Sequence, residues 1–262
     1  MVFNSIFFIF CFLPVFMLIY YLVPGKLRNL LLFLGSLIFY AWGEPVYVIL
    51  MLFSSIFNYY MGTELERLYY DDRKQKINLI FSIIINLAVL VFFKYYGFLL
   101  NTIGGIIGIH IPHPELSLPI GLSFYTFRNL SYLFDIYLSK VSAQRNFLTF
   151  SVYSTMFPYT SAGPIVRYTD IETQLKQRTI NISKFGIGAE LFVKGLAKKV
   201  LLADNLSVLY SSICGHPQMS VFTSWLGILA YTMQLYFDFS GYSDMAIGLG
   251  WMFGFHFKEN FN

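Results

Sequence analysis

The feature that most constrains this chain is a series of long apolar blocks separated by short polar stretches. Most blocks are about 15 to 24 residues long, the length that an α-helix needs to cross about 30 Å of hydrocarbon. Only 12% of the 262 residues are charged, whereas a soluble domain carries about a quarter. The sequence therefore predicts an all-α, polytopic membrane protein with about eight or nine membrane segments. The predicted segments are 3–23, 29–42, 46–62, 77–100, 117–137, 147–165, 185–212, 221–237 and 240–257.

Basic residues are concentrated in alternate loops. Four loops contain 12 of the 18 lysines and arginines, and the three intervening loops contain none. Because cytoplasmic loops carry an excess of these residues, the four basic loops are predicted to be cytoplasmic. The net charge of +4 then reflects membrane orientation, and no nucleic acid partner is expected. The basic loops are 24–28, 63–76, 138–146 and 166–184, and the loops without basic residues are 43–45, 101–116 and 213–220.

The N-terminal segment predicts the orientation of the whole chain. Residues 2–23 lack a positively charged leader, which favours a retained first span over a cleaved signal peptide. We therefore predict a multi-pass protein of the cell membrane with its N-terminus outside. The two cysteines, Cys11 and Cys214, lie far apart in the sequence, so no disulfide framework is expected.

Prolines and glycines interrupt two of the apolar regions. Gly43-Glu44-Pro45 separates the second and third segments and predicts a tight hairpin at a membrane face, because proline cannot continue a helix. The stretch 156–164 contains two prolines and a glycine, and the chain returns to the cytoplasmic side between Arg145 and Arg167. A re-entrant loop is predicted here, since irregular backbone at membrane depth needs surrounding protein or a water-filled cavity.

Charged residues also recur at helical spacing in segment 185–212. Glu190, Lys194 and Lys198 are four residues apart, which places them on one helical face, next to Lys199. This helix is predicted to begin along the cytoplasmic interface and to turn inward after Lys199.

Segment 117–137 contains a stripe of polar and small residues. Spacings of three and four residues place its members on one side of a predicted helix. The stripe is either a surface for close helix packing or a functional polar seam. A buried arginine needs a partner, and Asp135, Asp238 and Asp244 all remain candidates for Arg128. The stripe consists of Ser117, Gly121, Tyr125, Arg128 and Tyr132.

The polar stretch 236–244 interrupts the most C-terminal apolar region. Asp238 and Asp244 are costly in a bilayer unless they are paired, hydrogen-bonded or protonated, and such carboxylates serve either structure alone or a functional cavity. Ser240, Asp244 and Gly248 repeat every four residues, and Gly250 and Gly254 form a second pair. The glycines are predicted to allow close approach of a neighbouring helix.

The histidines do not form a recognisable catalytic or metal site. The sequence identifies no carboxylate partner for any of them, so none is a convincing general base. Cys214 and His216 supply only two ligands, which are too few for a zinc site. No metal site is predicted. The four histidines are His110, His113, His216 and His256.

Several motifs occur in a fixed order along the chain. They are Trp42-Gly43-Glu44-Pro45, Leu118-Pro119-Ile120-Gly121, Ala162-Gly163-Pro164, Lys194-Gly195-Leu196-Ala197-Lys198-Lys199, and Glu259-Asn260-Phe261-Asn262. With their flanking residues they resemble membrane-bound O-acyltransferases of the alginate O-acetylase branch over nearly the whole chain. A similar family member moves D-alanine towards teichoic acid.

The resemblance implies a ring of helices around a funnel through a thinned membrane. It implies transfer of an acyl group, typically acetyl, from a cytoplasmic donor such as acetyl-CoA or an acyl carrier to a hydroxyl of an exported polysaccharide. No bound cofactor is expected. The family's catalytic histidine, a general base, follows the Glu-Asn-Phe-Asn element and is expected beyond Asn262. Funnel-lining or supporting candidates are Asp238, Ser240, Tyr242, Asp244, Tyr125, Arg128, Gly163 and Pro164.

On this interpretation residues 1–262 form a single integral-membrane domain, the N-terminal part of a longer acyltransferase domain, and are inactive alone. The expected partners are the lipid bilayer and proteins of polysaccharide modification or export. Two other functions fit the same residues. One is a small transporter or channel component whose polar seam conducts protons or a solute; the other is a non-catalytic scaffold of a polysaccharide-export complex.

Overall fold

The protein is all-helical wherever its structure is defined. The computed structural model describes residues 2–109, 112, 116–161, 163–216 and 220–260. Within these residues no strand occurs, which confirms the all-α prediction. The α-helices are α1 Leu13–Leu22, α2 Arg28–Gly43, α3 Val48–Arg67, α4 Asp72–Ile107, α5 Leu122–Tyr137, α6 Phe147–Thr155, α7 Tyr168–Lys176, α8 Ile182–Ala197, α9 Asp204–Cys214 and α10 Val221–Phe253.

Four shorter helical turns complete the described structure. Two are π-helical, Phe8–Phe12 before α1 and Lys198–Ala203 between α8 and α9, so each joins neighbouring helical residues without a loop. Two are 3₁₀ turns, Gly25–Leu27 and Phe157–Tyr159. The first follows Pro24 and the second contains Pro158, and proline interrupts α-helical hydrogen bonding.

The chain divides into two compact units. We call Met1–Arg28, Ala162–Val166 and Asp170–Asn262 the terminal unit, and Asn29–Ser161 with Arg167–Thr169 the central unit. The terminal unit contains α1 and α8 to α10, and the central unit contains α2 to α6. The single integral-membrane domain stays a prediction.

Two of the described helices are long and apolar enough to cross a membrane. They are α3, with 20 residues, and α4, with 36 residues, and the described chain also has a shorter apolar helix, Phe8–Leu22. At about 1.5 Å per residue, α4 is about 54 Å long, well beyond the thickness of the hydrocarbon core.

The predicted interruptions occur where proline and glycine require them. α2 ends at Gly43 and α3 begins at Val48, which confirms the predicted helix break at Gly43-Glu44-Pro45; the hairpin at a membrane face stays a prediction. After α6 ends at Thr155, the chain forms only the 3₁₀ turn Phe157–Tyr159 before α7, and Gly163 adopts φ +100°. The irregular backbone of 156–164 is therefore confirmed.

Two segment boundaries differ from the sequence prediction. Residues 221–237 and 240–257 were predicted as separate segments, but α10 is one helix of 33 residues that passes through Asp238 and Asp244. The polar stretch contains no proline, and each carboxylate pairs with a lysine, so nothing there breaks the helix. The predicted loop 166–184 contains α7 and the start of α8.

Gly121 lies outside the predicted helical stripe. α5 begins at Leu122, and Gly121 precedes it with φ +74°, a left-handed conformation that favours glycine. A Cβ atom at this position would also collide with the carbonyl oxygen of Thr160. The remaining stripe residues of α5, Tyr125, Arg128 and Tyr132, are all buried.

Within the terminal unit, α8 and α10 approach each other through glycines. A Cβ atom on Gly248 would lie 2.5 Å from the carbonyl oxygen of Gly188, and one on Gly241 would lie 2.7 Å from that of Gly195. These distances leave no room for a side chain, so the backbones of the two helices are in direct contact. The predicted packing role of Gly248 is therefore confirmed.

The second glycine pair has a different role. Gly250 faces the ring of Phe257, and a Cβ atom there would lie 2.4 Å from it. Gly254 adopts φ +84° and ends α10 in a left-handed cap, a conformation that favours glycine. The prediction that this pair packs against a neighbouring helix was wrong, because both glycines serve the turn that follows α10.

We expect Gly248→Ala to destabilise the protein, because the added methyl group forces the backbones of α8 and α10 apart. Overpacking of this kind costs about 1 to 3 kcal/mol, measurable as a lower unfolding temperature in detergent. Gly186→Ala is the matched control, since it lies on α8 with open space around it. An equal effect of both substitutions would contradict the close contact.

Candidate functional site

The two carboxylates of the polar stretch are paired with consecutive lysines in the terminal unit. Lys199 Nζ lies 2.7 Å from Asp238 Oδ1 and 2.9 Å from Asp204 Oδ1, and Lys198 Nζ lies 2.6 Å from Asp244 Oδ2. The Asp238 side chain is 47% exposed, whereas Asp244 is 17% exposed. The costly charges are thus neutralised locally by ion pairing, one of the possibilities that the sequence allowed.

A π-helical turn positions these lysines. Consecutive side chains of an α-helix diverge by about 100°, since each turn takes 3.6 residues, yet Lys198 and Lys199 both reach carboxylates of α10. They begin the π-helical turn Lys198–Ala203, and such turns inside α-helices are frequent at functional sites. The helix therefore changes its winding at the point where the ion pairs form.

Small and hydroxyl side chains continue the polar surface of α10. Ser240 is buried, and its hydroxyl has no hydrogen-bond partner among the described residues. Gly163 lies against the same helix, where a Cβ atom would be 3.2 Å from that of Ala246 and 3.5 Å from the ring of Tyr242. Pro164 is buried as well. Tyr242, in turn, stacks on Phe3 with ring centres 4.6 Å apart.

Arg128 is a structural centre of the central unit. Its side chain is fully buried, and its guanidinium donates to the carbonyl oxygens of Ser154, at 3.0 Å, and Tyr159. The guanidinium carbon also lies 4.1 Å from the centre of the Tyr159 ring, within the range of a cation–π contact. Arg128 therefore links the last turn of α6 to the 3₁₀ turn of the irregular segment that follows it.

The expected carboxylate partner of Arg128 is absent among the described residues. Its described hydrogen bonds go to carbonyl oxygens, and Asp135 lies 3.8 Å from Lys140 instead. The prediction was wrong because irregular backbone exposes carbonyl oxygens that a helix would satisfy internally. A buried guanidinium, with five N–H donors, meets that need.

Further hydrogen bonds fix the same segment. The Tyr159 hydroxyl donates to the Tyr153 carbonyl oxygen at 3.0 Å, and the Tyr153 hydroxyl donates to that of Arg128 at 3.1 Å. The backbone N–H of Phe157 donates to Ser36 Oγ at 3.0 Å. The segment is thus held by side chains from α2 and α5, and its own Tyr159 side chain is anchored to the backbone of α6.

Tyr125, one turn before Arg128, belongs to the apolar core of the central unit. It packs in a buried cluster with Tyr40, Met51, Leu90 and Leu122. The structure therefore places the eight predicted site residues in two groups: Asp238, Ser240, Tyr242, Asp244, Gly163 and Pro164 in the terminal unit, and Tyr125 and Arg128 in the central unit.

The histidines and acidic residues show no metal centre in the part of the chain that the structure describes. No group of three His, Cys, Asp or Glu side chains there could hold a metal ion. His216 is exposed, and the backbone N–H of His256 donates to Gln174 Oε1 at 2.7 Å. His110 and His113 lie outside the described residues.

The sequence prediction missed Lys198 and Lys199 as partners of the carboxylates. Both lysines stand in the motif Lys194-Gly195-Leu196-Ala197-Lys198-Lys199, so the signal was present. The sequence alone does not show that Gly195 contacts Gly241, and this contact brings the motif against the polar stretch.

A helical chain with long apolar helices and paired charges along one of them is typical of an integral membrane protein with a polar interior. Residues 42–262 match the model of MBOAT, the membrane-bound O-acyltransferase family. The chain therefore belongs to the membrane-bound O-acyltransferase family, whose members are membrane proteins.

The curated relatives agree with this family. The whole chain is 42% identical to a probable alginate O-acetylase of Pseudomonas aeruginosa and covers 51% of it. The whole chain is also 33% identical to a peptidoglycan O-acetyltransferase of Helicobacter pylori, covering 56% of it. Over 58% of the chain, it is 28% identical to a teichoic acid D-alanyltransferase of Bacillus subtilis, of which it covers 40%. The chain thus spans about half the length of the first two.

We expect Lys198 and Asp244 to be energetically coupled. A double-mutant cycle of Lys198→Met and Asp244→Asn, read from free energies of unfolding in detergent, should give a coupling of about 1 kcal/mol. The control is the Glu190→Gln and Lys194→Met cycle. That pair, 2.6 Å apart on α8, is exposed and should give a smaller coupling, because solvent screens its charges. A smaller coupling for Lys198 and Asp244 than for the control would refute their pairing across the helix contact.

We expect Arg128→Met to destabilise the central unit by about 3 kcal/mol, since two buried carbonyl oxygens lose their donor. Arg128→Lys should restore little of this loss, because one ammonium group lacks the guanidinium fork. Unfolding temperature and protease cleavage within 156–164 measure the effect. Arg73→Met, at an exposed arginine of α4, is the control and should behave like the unmodified protein.

Proposed function

We propose that this chain is the N-terminal part of a membrane O-acyltransferase that transfers an acyl group, typically acetyl, to a hydroxyl of an exported cell-surface polysaccharide. The observation that carries the proposal is the family match over residues 42–262. The full-chain similarity to an alginate O-acetylase and a peptidoglycan O-acetyltransferase supports an exported polysaccharide as acceptor.

The proposed chemistry needs a base, an acyl donor and a dry site. As the acceptor oxygen attacks the acyl carbonyl, the base removes the hydroxyl proton, and the thiolate of acetyl-CoA or of an acyl carrier leaves. We place the base on a histidine beyond Asn262, as the family resemblance implies. Residues 1–262 would then be inactive alone and would supply part of the wall of the site. The half-length coverage of the relatives is consistent with this division.

The described residues suggest how that wall is built. The Lys198 and Lys199 ion pairs hold Asp238 and Asp244 in place on α10, so that polar groups are preorganised within an apolar helix pair. Ser240 and Tyr242 line the same stretch, and Gly163 and Pro164 support it. In the central unit, Tyr125 and Arg128 fix α5 and the irregular segment that follows α6.

The membrane arrangement that we propose follows the distribution of charge. About eight or nine segments, including the re-entrant loop 147–165, would form part of a helical ring around a funnel. The protein would lie in the cell membrane, with its N-terminus on the outside. Proteins of polysaccharide modification or export would be the partners, and no nucleic acid is involved.

The decisive experiment measures ester-linked acetate on the exported polysaccharide of cells that lack the gene. The complete gene should restore acetylation, and a gene cut after codon 262 should not. An Asp244→Asn variant of the complete gene should lower acetylation at least about tenfold, a change of about 1.4 kcal/mol in barrier. Glu190→Gln, which removes an exposed paired carboxylate of α8, should leave acetylation unchanged.

Two outcomes would contradict the proposal. If the chain cut after codon 262 restored acetylation, the catalytic base would not lie beyond Asn262. If reconstituted vesicles showed proton or solute flux that was lost in Asp238→Asn and did not depend on an acyl donor, transport would be the function instead.

A further inference from the structure

The central unit contains a small cavity between α3, α4 and α5. Its volume is about 10 Å³, close to the space that a single water molecule needs. Polar residues from all three helices line it beside apolar ones: Ser54 of α3, Asn86 of α4, and Tyr125 and Thr126 of α5. The cavity is too small for an organic ligand, and its lining is more polar than that of an apolar packing defect.

The hydroxyl group of Tyr125 lacks a hydrogen-bond partner at this cavity. Tyr125 is 1% exposed, and its hydroxyl bonds to none of the described residues. Tyr40 packs in the same buried cluster, but its buried hydroxyl is unpaired as well, so the two tyrosines do not bond to each other. A buried donor without an acceptor is destabilising, so Tyr125 needs an acceptor inside the cavity.

Ser54 supplies a second donor. Its hydroxyl oxygen accepts from Asn129 Nδ2 at 3.1 Å and from Asn58 Nδ2 at 3.4 Å, whereas its own O–H donates to none of the residues that the structure describes. The neighbouring Ser55 instead donates to the carbonyl oxygen of Met51, four residues earlier, at 3.0 Å, a common arrangement for hydroxyl groups in helices. The hydroxyl hydrogen of Ser54 therefore remains available to the cavity.

Asn86 supplies the complementary acceptor. Asn86 Oδ1 accepts from Asn58 Nδ2 at 3.0 Å, and Asn86 Nδ2 donates to Asn58 Oδ1 at 2.9 Å. Because an amide oxygen has two lone pairs, Asn86 Oδ1 can accept one further hydrogen bond. Two donors and one acceptor at one cavity match a water molecule, which accepts and donates at the same time.

The apolar surroundings make unpaired donors especially unfavourable. α3 and α4 are both long and apolar enough to cross a membrane, and hydrocarbon offers no hydrogen-bond partners. A molecule that pairs these donors inside the helix bundle therefore stabilises the packing of the three helices.

We propose that this cavity binds one water molecule, which links α3, α4 and α5. The water accepts from the hydroxyl groups of Tyr125 and Ser54 and donates to Asn86 Oδ1. Three hydrogen bonds are typical of a buried water. This site gives Tyr125 a specific role, the attachment of α5 to the two neighbouring helices, and it does not depend on the acyl-transfer proposal.

X-ray radiolytic labelling of the intact protein in detergent tests for this water directly. Radicals formed from an ordered water modify the side chains beside it, and mass spectrometry locates the modified residues. We expect Tyr125 to be modified. Tyr153 is the matched control, since it is fully buried in the same unit but its hydroxyl donates directly to the Arg128 carbonyl oxygen at 3.1 Å. No modification of Tyr125, or equal modification of both tyrosines, would overturn the proposed site.

Two variants connect the labelling to the cavity. Val89 lines the cavity, and Val89→Ile adds a methylene group that takes the place of the water, so modification of Tyr125 should be lost. Tyr125→Phe should lower the unfolding temperature by about 2 to 4 °C, the effect of one lost hydrogen bond in a protein of this size. In the Val89→Ile background the same substitution should not lower it, because the hydroxyl has no water to bond.

An equal effect of Tyr125→Phe in both backgrounds would show that the hydroxyl stabilises the protein without water, and the proposal would be wrong. Far-ultraviolet circular dichroism checks that each variant folds. If one does not, the labelling of Tyr125 and Tyr153 in the unmodified protein decides the proposal.

Discussion

The direct backbone contact between α8 and α10 is the interaction on which the polar stretch of the terminal unit depends. Glycines at 188, 195, 241 and 248 remove the side chains that would separate the helices. Only at this separation do Lys198 and Lys199 reach Asp244 and Asp238. A charged group in an apolar setting is tolerated when its partner is held close. The glycines therefore allow the carboxylates to be paired, because they bring α8 close to α10. The π-helical turn orients both lysines towards the carboxylates.

The central unit satisfies its buried polar groups by another route. The end of α6 and the irregular segment after it leave carbonyl oxygens without helical partners, and Arg128 donates to one in each, those of Ser154 and Tyr159. Tyrosine and serine hydroxyls form further hydrogen bonds with the backbone of this region. One buried cation therefore replaces the hydrogen bonds that a continuous helix would have made for itself. In the central unit the candidate residue Arg128 is therefore also the residue that stabilises the irregular backbone.

Much of the fold followed from local rules. Apolar blocks predicted helices, Gly43-Glu44-Pro45 predicted the break between α2 and α3, and Pro158 and Pro164 predicted the irregular segment. These predictions were correct because proline and hydrophobicity act on the residues next to them. The break at Asp238 was wrong because polarity was mistaken for a helix end, although neither aspartate nor serine prevents helical hydrogen bonding. The partner of Arg128 was wrong because a carboxylate was expected where backbone carbonyl oxygens were available.

The sequence by itself determined the helical class, the family and the positions at which charge interrupts apolar segments. These follow from composition, motif order and residue spacing, which do not depend on how the chain folds. The tertiary structure alone decided which groups pair: Lys198 with Asp244, Lys199 with Asp238, and Arg128 with the carbonyl oxygens of Ser154 and Tyr159. Pairing depends on distances between segments remote in sequence, and those distances are set by the packing of whole helices, which no local pattern encodes.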